Sequence, residues 1–480
     1  MKTADKLLAL LREGRAMTLS QRIRLAALLS LPSILAQFSL IAMQYVDASM
    51  VGHLGAEAAA SIGLVSTTIW LFGGICSSVV AGFSVQVAHK IGAGDFDNAR
   101  KTLRQALTAA LVFGLMLGGI GVAISGSLPR WLGGDISIRE ASSTYFFIYA
   151  LALPILQVKS LAGGMLRCSG DMRTPSILNI LMCVLDVLFN FLLIFPSHDI
   201  RFSTVHIHLP GAGLGVTGAA LGTMAAVSVT MVLMMWYLCR RSAVLKLAGT
   251  HGSYRPQRRT LVNAWRIAGP MALEHTAICF AQIMTTVIVA PLGVVAIAAN
   301  SFAITAESLC YMPGYGISEA ATTLVGQSVG AGRRRLAWSF ANITVLSGMV
   351  VMGLMGALMY LFAPEMIGVM TPVEEIRVLG TSILRIEAFA EPMFAASIVA
   401  YGVFVGAGKT FVPSLMNFGS IWGVRLTLAA LLAPSLGLRG VWIAMCIELC
   451  FRGTIFLIRL WRKKWLNHIG NNIGIQVNSI

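Results

Sequence analysis

Charge is scarce in this sequence. Only 12% of its 480 residues are Asp, Glu, Lys or Arg, about half the share that soluble globular domains carry, so a solvated surface around one buried core is excluded. Paired cysteines are missing as well. The eight cysteines include no Cys-x-x-Cys, and Cys76, Cys183, Cys279, Cys310, Cys446 and Cys450 fall inside apolar runs, so neither a disulfide framework nor a structural metal site is expected. A zinc-protease His-Glu-x-x-His is absent too, and an enzyme is not the expectation. "GAGKT", Gly406 to Thr410, ends like a phosphate-cradling loop, but the first glycine of that loop is replaced by Val403. The apolar run from Ile383 to Val405 that precedes it is too long for the buried strand such a loop follows. Nucleotide binding is therefore not expected.

Apolar residues fill the space that charge leaves. They make up 56% of the chain, and mean hydropathy is +0.78. A helix crosses the hydrocarbon with about 20 mostly apolar residues, and twelve such runs can be drawn. They lie at 29–52, 58–87, 105–127, 142–166, 175–196, 214–238, 267–290, 296–327, 339–363, 379–403, 413–434 and 440–460. The first 28 residues carry charges throughout, with Leu7, Leu8, Leu10 and Leu11 spaced for a short interfacial helix rather than a cleavable signal.

Cations set the orientation. Of 36 Lys and Arg, 26 lie in the N-terminus, the C-terminus and the loops after even-numbered spans, which predicts cytoplasmic termini by the positive-inside rule. The net charge of +16 is thereby a topology signal and an attraction to anionic lipid, with no nucleic-acid partner required.

The chain also repeats. An offset of 238 residues sets Pro32 on Pro270, Gly92-Ala93-Gly94 on Gly330-Ala331-Gly332, Pro154 on Pro392, Gly170 on Gly408, Pro175-Ser176 on Pro413-Ser414 and Asn179 on Asn417. The register slips by 16 in the loop from Ser197 to Gly213. "GAGKT" is thus the second copy of the turn "CSGDMRT". Six spans per copy make the repeats parallel, related by a pseudo-two-fold along the membrane normal. The expected fold is all-α: an N-terminal segment 1–28, a six-helix bundle 29–238, a basic linker 239–266, a second bundle 267–461 and a tail 462–480.

Two facing bundles leave a cleft, the usual place for substrate and coupling-ion sites in secondary transporters. Duplicated glycines, prolines and the asparagine pair are read mainly as scaffold. The intramembrane acids are not duplicated, so the fold does not demand them, and each costs about 2.5 kcal/mol or more at membrane depth. Asp47, the face Asp186–Asn190 with Asn179 seven residues earlier, Glu274 and Glu391 are the candidates for ion or proton coupling. Glu307, Glu387 and Lys159 are candidates for the substrate cavity. Glu387 and Glu391 read as an i, i+4 pair, with Arg385 as a neutralising neighbour, and Lys159 as a counter-ion or a snorkelling cation. Glu319 and Glu448 are placed near span ends. Because acids dominate the spans, the cavity is expected to favour cations.

"QYVDASMVGHLGAEAAAS", "QVAHKIGAGDFDNA", "LRCSGDMRTPSILN", "VTGAALGT" and "LVGQSVGAGRRRLA" together resemble the multidrug and toxic compound extrusion (MATE) family over residues 20–465. The resemblance implies an antiporter of the bacterial-type inner membrane, working as a monomer without a cofactor. It would exchange organic cations and amphipathic drugs for Na+ or H+. Family members bear a functional aspartate matched by Asp47, and acids matched approximately by Glu274 and Glu391. Where one branch has Asn then Asp four residues on, this chain has Asp186 then Asn190, so the ion is left open. A flippase for lipid-linked sugars is the alternative with the same two-bundle architecture, and would call for a strongly cationic cleft. A channel filter at "MPGYG" is not expected inside an ordinary span.

Overall fold

The computed structural model describes residues 2–202 and 205–467; the end of the expected tail lies outside them. The first half comprises α1 (Lys2–Arg12), α2 (Leu19–Gly52), α3 (Ala56–Gly92), α4 (Phe96–Ser125), the single turn α5 (Leu128–Trp131), α6 (Ile136–Cys168), α7 (Arg173–Ile194), β1 (Pro196–Phe202), β2 (Val205–Ala212) and α8 (Gly215–Arg240). The second comprises α9 (Arg258–Val289), α10 (Val294–Gly330), α11 (Arg334–Met370), α12 (Glu374–Glu387), α13 (Glu391–Gly406), α14 (Phe411–Ser420), α15 (Thr427–Leu436) and α16 (Leu438–Trp461). Among the described residues eleven helical runs are long and apolar enough to cross a membrane, and the bent pair α12–α13 makes a twelfth. The protein is a multi-pass membrane protein of two parallel six-helix repeats.

Several helices outrun the expected spans. At 1.5 Å per residue, the 37-residue α3 and α10 are far longer than the roughly 30 Å hydrocarbon layer. Helix α2 begins ten residues before the expected span, because Thr18 and Gln21 close a reciprocal capping box around its first turn. Helix α9 begins at Arg258, inside what reads in sequence as linker.

The tenth span is broken. Helices α12 and α13 meet at 58° across Ala388–Ala390, because Pro392 lacks the N–H that would continue the ladder and its ring would strike the carbonyl four residues back. Glu387 ends one segment and Glu391 begins the other, so they do not share a face of one helix. The eleventh span widens into a π-turn over Ile421–Leu426, between α14 and α15. One departure from an all-helical chain is the antiparallel hairpin β1–β2. It occupies the loop where the repeat register slips, and the second repeat passes from α15 to α16 through Gly437 alone, at φ +60°.

Lipid-facing surface is symmetrical between the repeats. Val112 and Met116 on α4, and their mates Val350 and Leu354 on α11, are about half exposed or more, an apolar belt that water would not tolerate. Between the bundles α3 packs on α9, and α10 on α2 and α3, so the interface itself follows the pseudo-two-fold.

Candidate functional site

A cavity of about 880 Å³ lies between the bundles, within the range of drug-sized sites. Residues 156, 159, 160, 163, 164 and 167 of α6 line it at helical spacing. Across it stand Glu274 and His275 on α9, Tyr315 and Glu319 on α10, Phe394 and Tyr401 on α13, Asn417 on α14 and Arg452 on α16.

Glu274 is buried in this wall rather than exposed at an interface, because α9 starts more than four turns ahead of it. The Tyr401 hydroxyl donates to one of its carboxylate oxygens and the Asn417 amide to the other. Asn417 and its mate Asn179 both line the cavity, so the duplicated asparagines belong to the site as well as to the scaffold.

A second group lies within the first bundle. The Asn190 amide donates to Asp47 at 3.0 Å and to Asp186 at 3.1 Å, bringing both carboxyls to one donor. Asp186 and Asn190 are fully buried, while Asp47 is half-buried. A Cβ at Gly222 of α8 would overlap the Asn190 side chain, so that glycine lets the cluster form. Asp186 Oδ1 and Asn190 Oδ1 have no hydrogen-bond partner. Asn179 lies outside this group, in the cavity wall.

The third group lies deep in the second bundle and is built on Glu448. Glu448 is fully buried at mid-helix, not near a span end. It accepts hydrogen bonds from Arg425 at 2.7 Å and Ser420 at 2.6 Å and forms an ion pair with the i+4 Arg452 at 3.1 Å. The π-turn carries Arg425, which places the guanidinium against Glu448. The i, i+4 spacing of Glu448 and Arg452 was the available signal. Glu307, Glu387 and Glu391 are buried in the same bundle, and no donor reaches Glu387 or Glu391. Arg385 does not neutralise them: its guanidinium lies on the Tyr360 ring and donates to the Tyr360 carbonyl.

Lys159 faces the cavity, so it does not snorkel out, and among the described residues no carboxylate pairs with it. The other charged groups of the wall are engaged: Arg167 with Glu319 at 3.7 Å, Arg452 with Glu448. Charge in the cavity is therefore balanced rather than acidic, because most of the acids counted along the spans lie behind the wall.

The end of the cavity that carries the basic loops is sealed. His89 Nε2 meets the Gly406 carbonyl at 2.8 Å, and Gln327 Nε2 donates to the Cys168 carbonyl at 2.8 Å. The two bonds are repeat mates, since 89 and 168 become 327 and 406 at the offset of 238. A Cβ at Gly92 would overlap the Gln327 backbone, and one at Gly330 the His89 backbone, which explains the duplicated glycines. Helix α1 adds an asymmetric wedge: Leu8 and Leu11 are buried, and Arg12 donates to Gln327 at 3.1 Å and to the Ser169 carbonyl at 2.8 Å. Burial pushes the Arg12 guanidinium down to about 10, so it stays cationic at neutral pH.

One sequence motif finds no catalytic setting. Gly326 to Gly330 spell Gly-Gln-Ser-Val-Gly, the pattern of a nucleophile elbow, but they lie within continuous α10 and not on a strand-to-helix turn. No group of three or more His, Cys, Asp or Glu is placed to hold a metal ion among the described residues.

A sequence model of the MatE family matches residues 32–192 and 270–431, once in each half. Curated relatives include probable multidrug resistance proteins NorM. That of Thermotoga maritima is 24% identical over 421 residues, covering 87% of this chain and 88% of its own. That of Brucella suis is 27% identical, covering 94% of each. Among solved structures, a multidrug resistance MATE family transporter in an outward-facing conformation superposes with a TM-score of 0.85 at 21% identity, covering 96% of this chain and 98% of its own. A MOP superfamily transporter from Pyrococcus furiosus gives 0.85 at 20% identity and the same coverage.

Proposed function

Because the chain belongs to the MatE family, matched in both of its halves, we propose that it is a secondary active antiporter of the bacterial inner membrane. It expels organic cations and amphipathic drugs in exchange for Na+ or H+. The observation that carries this reading is a drug-sized cavity on the pseudo-two-fold, sealed at one end by symmetric contacts, with carboxyl clusters inside the bundles that flank it.

By the positive-inside rule the sealed end is cytoplasmic, so this is a state closed to the cytoplasm. Breaking the His89–Gly406 and Gln327–Cys168 contacts while closing the opposite side would present the cavity to the cytoplasm. The bundles at 29–238 and 267–461 would then rock as two bodies joined by the linker. Asp47, Asp186 and Asn190 form the principal coupling site: two carboxyls sharing one amide can exchange a proton or a cation for that donor. Glu274 with Tyr401 and Asn417 meets the cationic part of the substrate. Glu391 is a further coupling acid, and Glu307 and Glu387, which do not line the cavity, stand behind its wall in the second bundle. The protein works as a monomer among membrane lipids and needs no cofactor beyond the coupling ion. A flippase for diphosphate-linked sugars draws no support from the cavity, where Lys159 is the one cation without an acidic partner among the described residues.

Expression in cells lacking their own pumps should lower ethidium accumulation. That effect should vanish when both ion gradients are collapsed with ATP maintained; export that persists under those conditions would exclude the antiporter.

A further inference from the structure

The cavity wall is duplicated, yet its charges are not. At the offset of 238, Glu274 of the second bundle corresponds to Ala36 of the first, and Lys159 of the first corresponds to Ser397 of the second. All four positions line the cavity. So do the paired asparagines, Asn179 and Asn417, which keep the two half-sites otherwise alike. One half-site has thus acquired a carboxylate with two donors fixed on it, and the other an ammonium. Lys159 has no ion pair and no hydrogen bond among the described residues, whereas Arg167 and Arg452, the other cations lining the cavity, are each matched by an acid. A cation held in a membrane protein without a partner is costly. It is offset when a ligand brings the missing anion. The Asn179 amide oxygen in the same half-site is also unpartnered, so the neighbouring polar group is free to turn its amide N–H groups toward that anion.

We infer that the cavity takes zwitterionic amphiphiles, with the ligand's carboxylate on Lys159 of the first bundle and its cationic nitrogen group on Glu274 of the second. This rests on the export reading above and narrows its substrate class. Such a ligand bridges the two bundles, so its release is tied to their separation, whereas a plain cation engages one bundle only. A monovalent carboxylate suits a lone ammonium; a diphosphate would call for several cations around the same point.

The test uses purified wild-type protein and two dyes that differ by one ethyl group: rhodamine B, zwitterionic at neutral pH, and its ethyl ester, a plain cation. Wild type should bind the zwitterion about tenfold more tightly than the ester, the scale of one charge-assisted hydrogen bond. Lys159→Met should erase that preference by weakening the zwitterion alone. Lys159→Arg should keep it, and Glu274→Gln should weaken both dyes. Equal binding of the two dyes by wild type, or an equal loss of both on Lys159→Met, overturns the inference; the wild-type comparison decides it even where a variant does not fold. Export of each dye from cells is read separately. Export of the ester with no preference for the zwitterion in binding sinks this inference and leaves the exporter standing. Export of neither sinks the exporter, while the binding preference still decides the assignment of Lys159.

Discussion

An acid inside a membrane-spanning helix needs a reason to be there, and six of the acids in this protein's spans are buried: Asp186, Glu274, Glu307, Glu387, Glu391 and Glu448. Their surroundings divide them. Glu448 is neutralised by two arginines and accepts a hydrogen bond from a serine, the arrangement of a structural ion network. Asp47 and Asp186 share one amide, and Asp186 retains an acceptor oxygen without a partner, the arrangement of a site that exchanges an occupant. Glu448→Gln should therefore cost stability, by about 3–5 kcal/mol, because it strands buried guanidinium charge; its mark is a lowered Tm in detergent. Asp47→Asn and Asp186→Asn should leave Tm near wild type and abolish gradient-driven export. The reverse pattern would mean that the two clusters have been assigned the wrong way round. Single residues were only partly legible in the sequence. Asp47, Asp186 and Asn190 stood out as unduplicated polar groups, but Glu448 was set aside because its distance along a span resembled a helix end. Its arginines lie one turn away on α16 and on the π-turn, which no span boundary reveals.

Elements were more legible where the cause was local. The charged flanks of each span could be read directly, whereas the break at Pro392 was not expected, because 379–403 reads as one continuous span, and the early start of α9 depended on a polar stretch, Arg258 to Arg266, continuing a helix outside the membrane. That extension moves Glu274 from an apparent interface to the cavity wall. The contacts at the basic end belong to this scale too, because they join α1, α3, α6, α10 and α13. Each of these hydrogen bonds is worth about 1 kcal/mol, a factor of about five in an opening equilibrium. Gln327→Ala, which removes the bonds to Cys168 and Arg12, and deletion of residues 2–16, which removes the α1 wedge, should each speed maleimide labelling of Cys168 several-fold. Cys239, outside the seal, serves as the internal reference. Unchanged labelling of Cys168 in both variants would show that these contacts do not hold the seal. Lys409, by contrast, lies in a repeat turn, and Lys409→Gln should export at the wild-type rate; loss of export with normal insertion would return attention to "GAGKT".

For the whole molecule, duplication carried most of what could be known in advance, because one offset constrains twelve spans at once. The hairpin β1–β2 escaped that constraint, being present in one copy only. So did the charge of the cavity, since the sequence gives the number of acids in the spans but not which of them face the cleft. What the pair of bundles is proposed to do is couple two movements, and coupling is reciprocal. The most direct measurement uses proteoliposomes without ATP, loaded with ethidium against a dye-free buffer and otherwise at ion equilibrium. The dye leaving down its own gradient should drive Na+ or H+ inward, by one of the two ions only, and Asp47→Asn with Asp186→Asn should stop the ion movement. Dye efflux through the wild-type protein with neither ion moving would contradict the account.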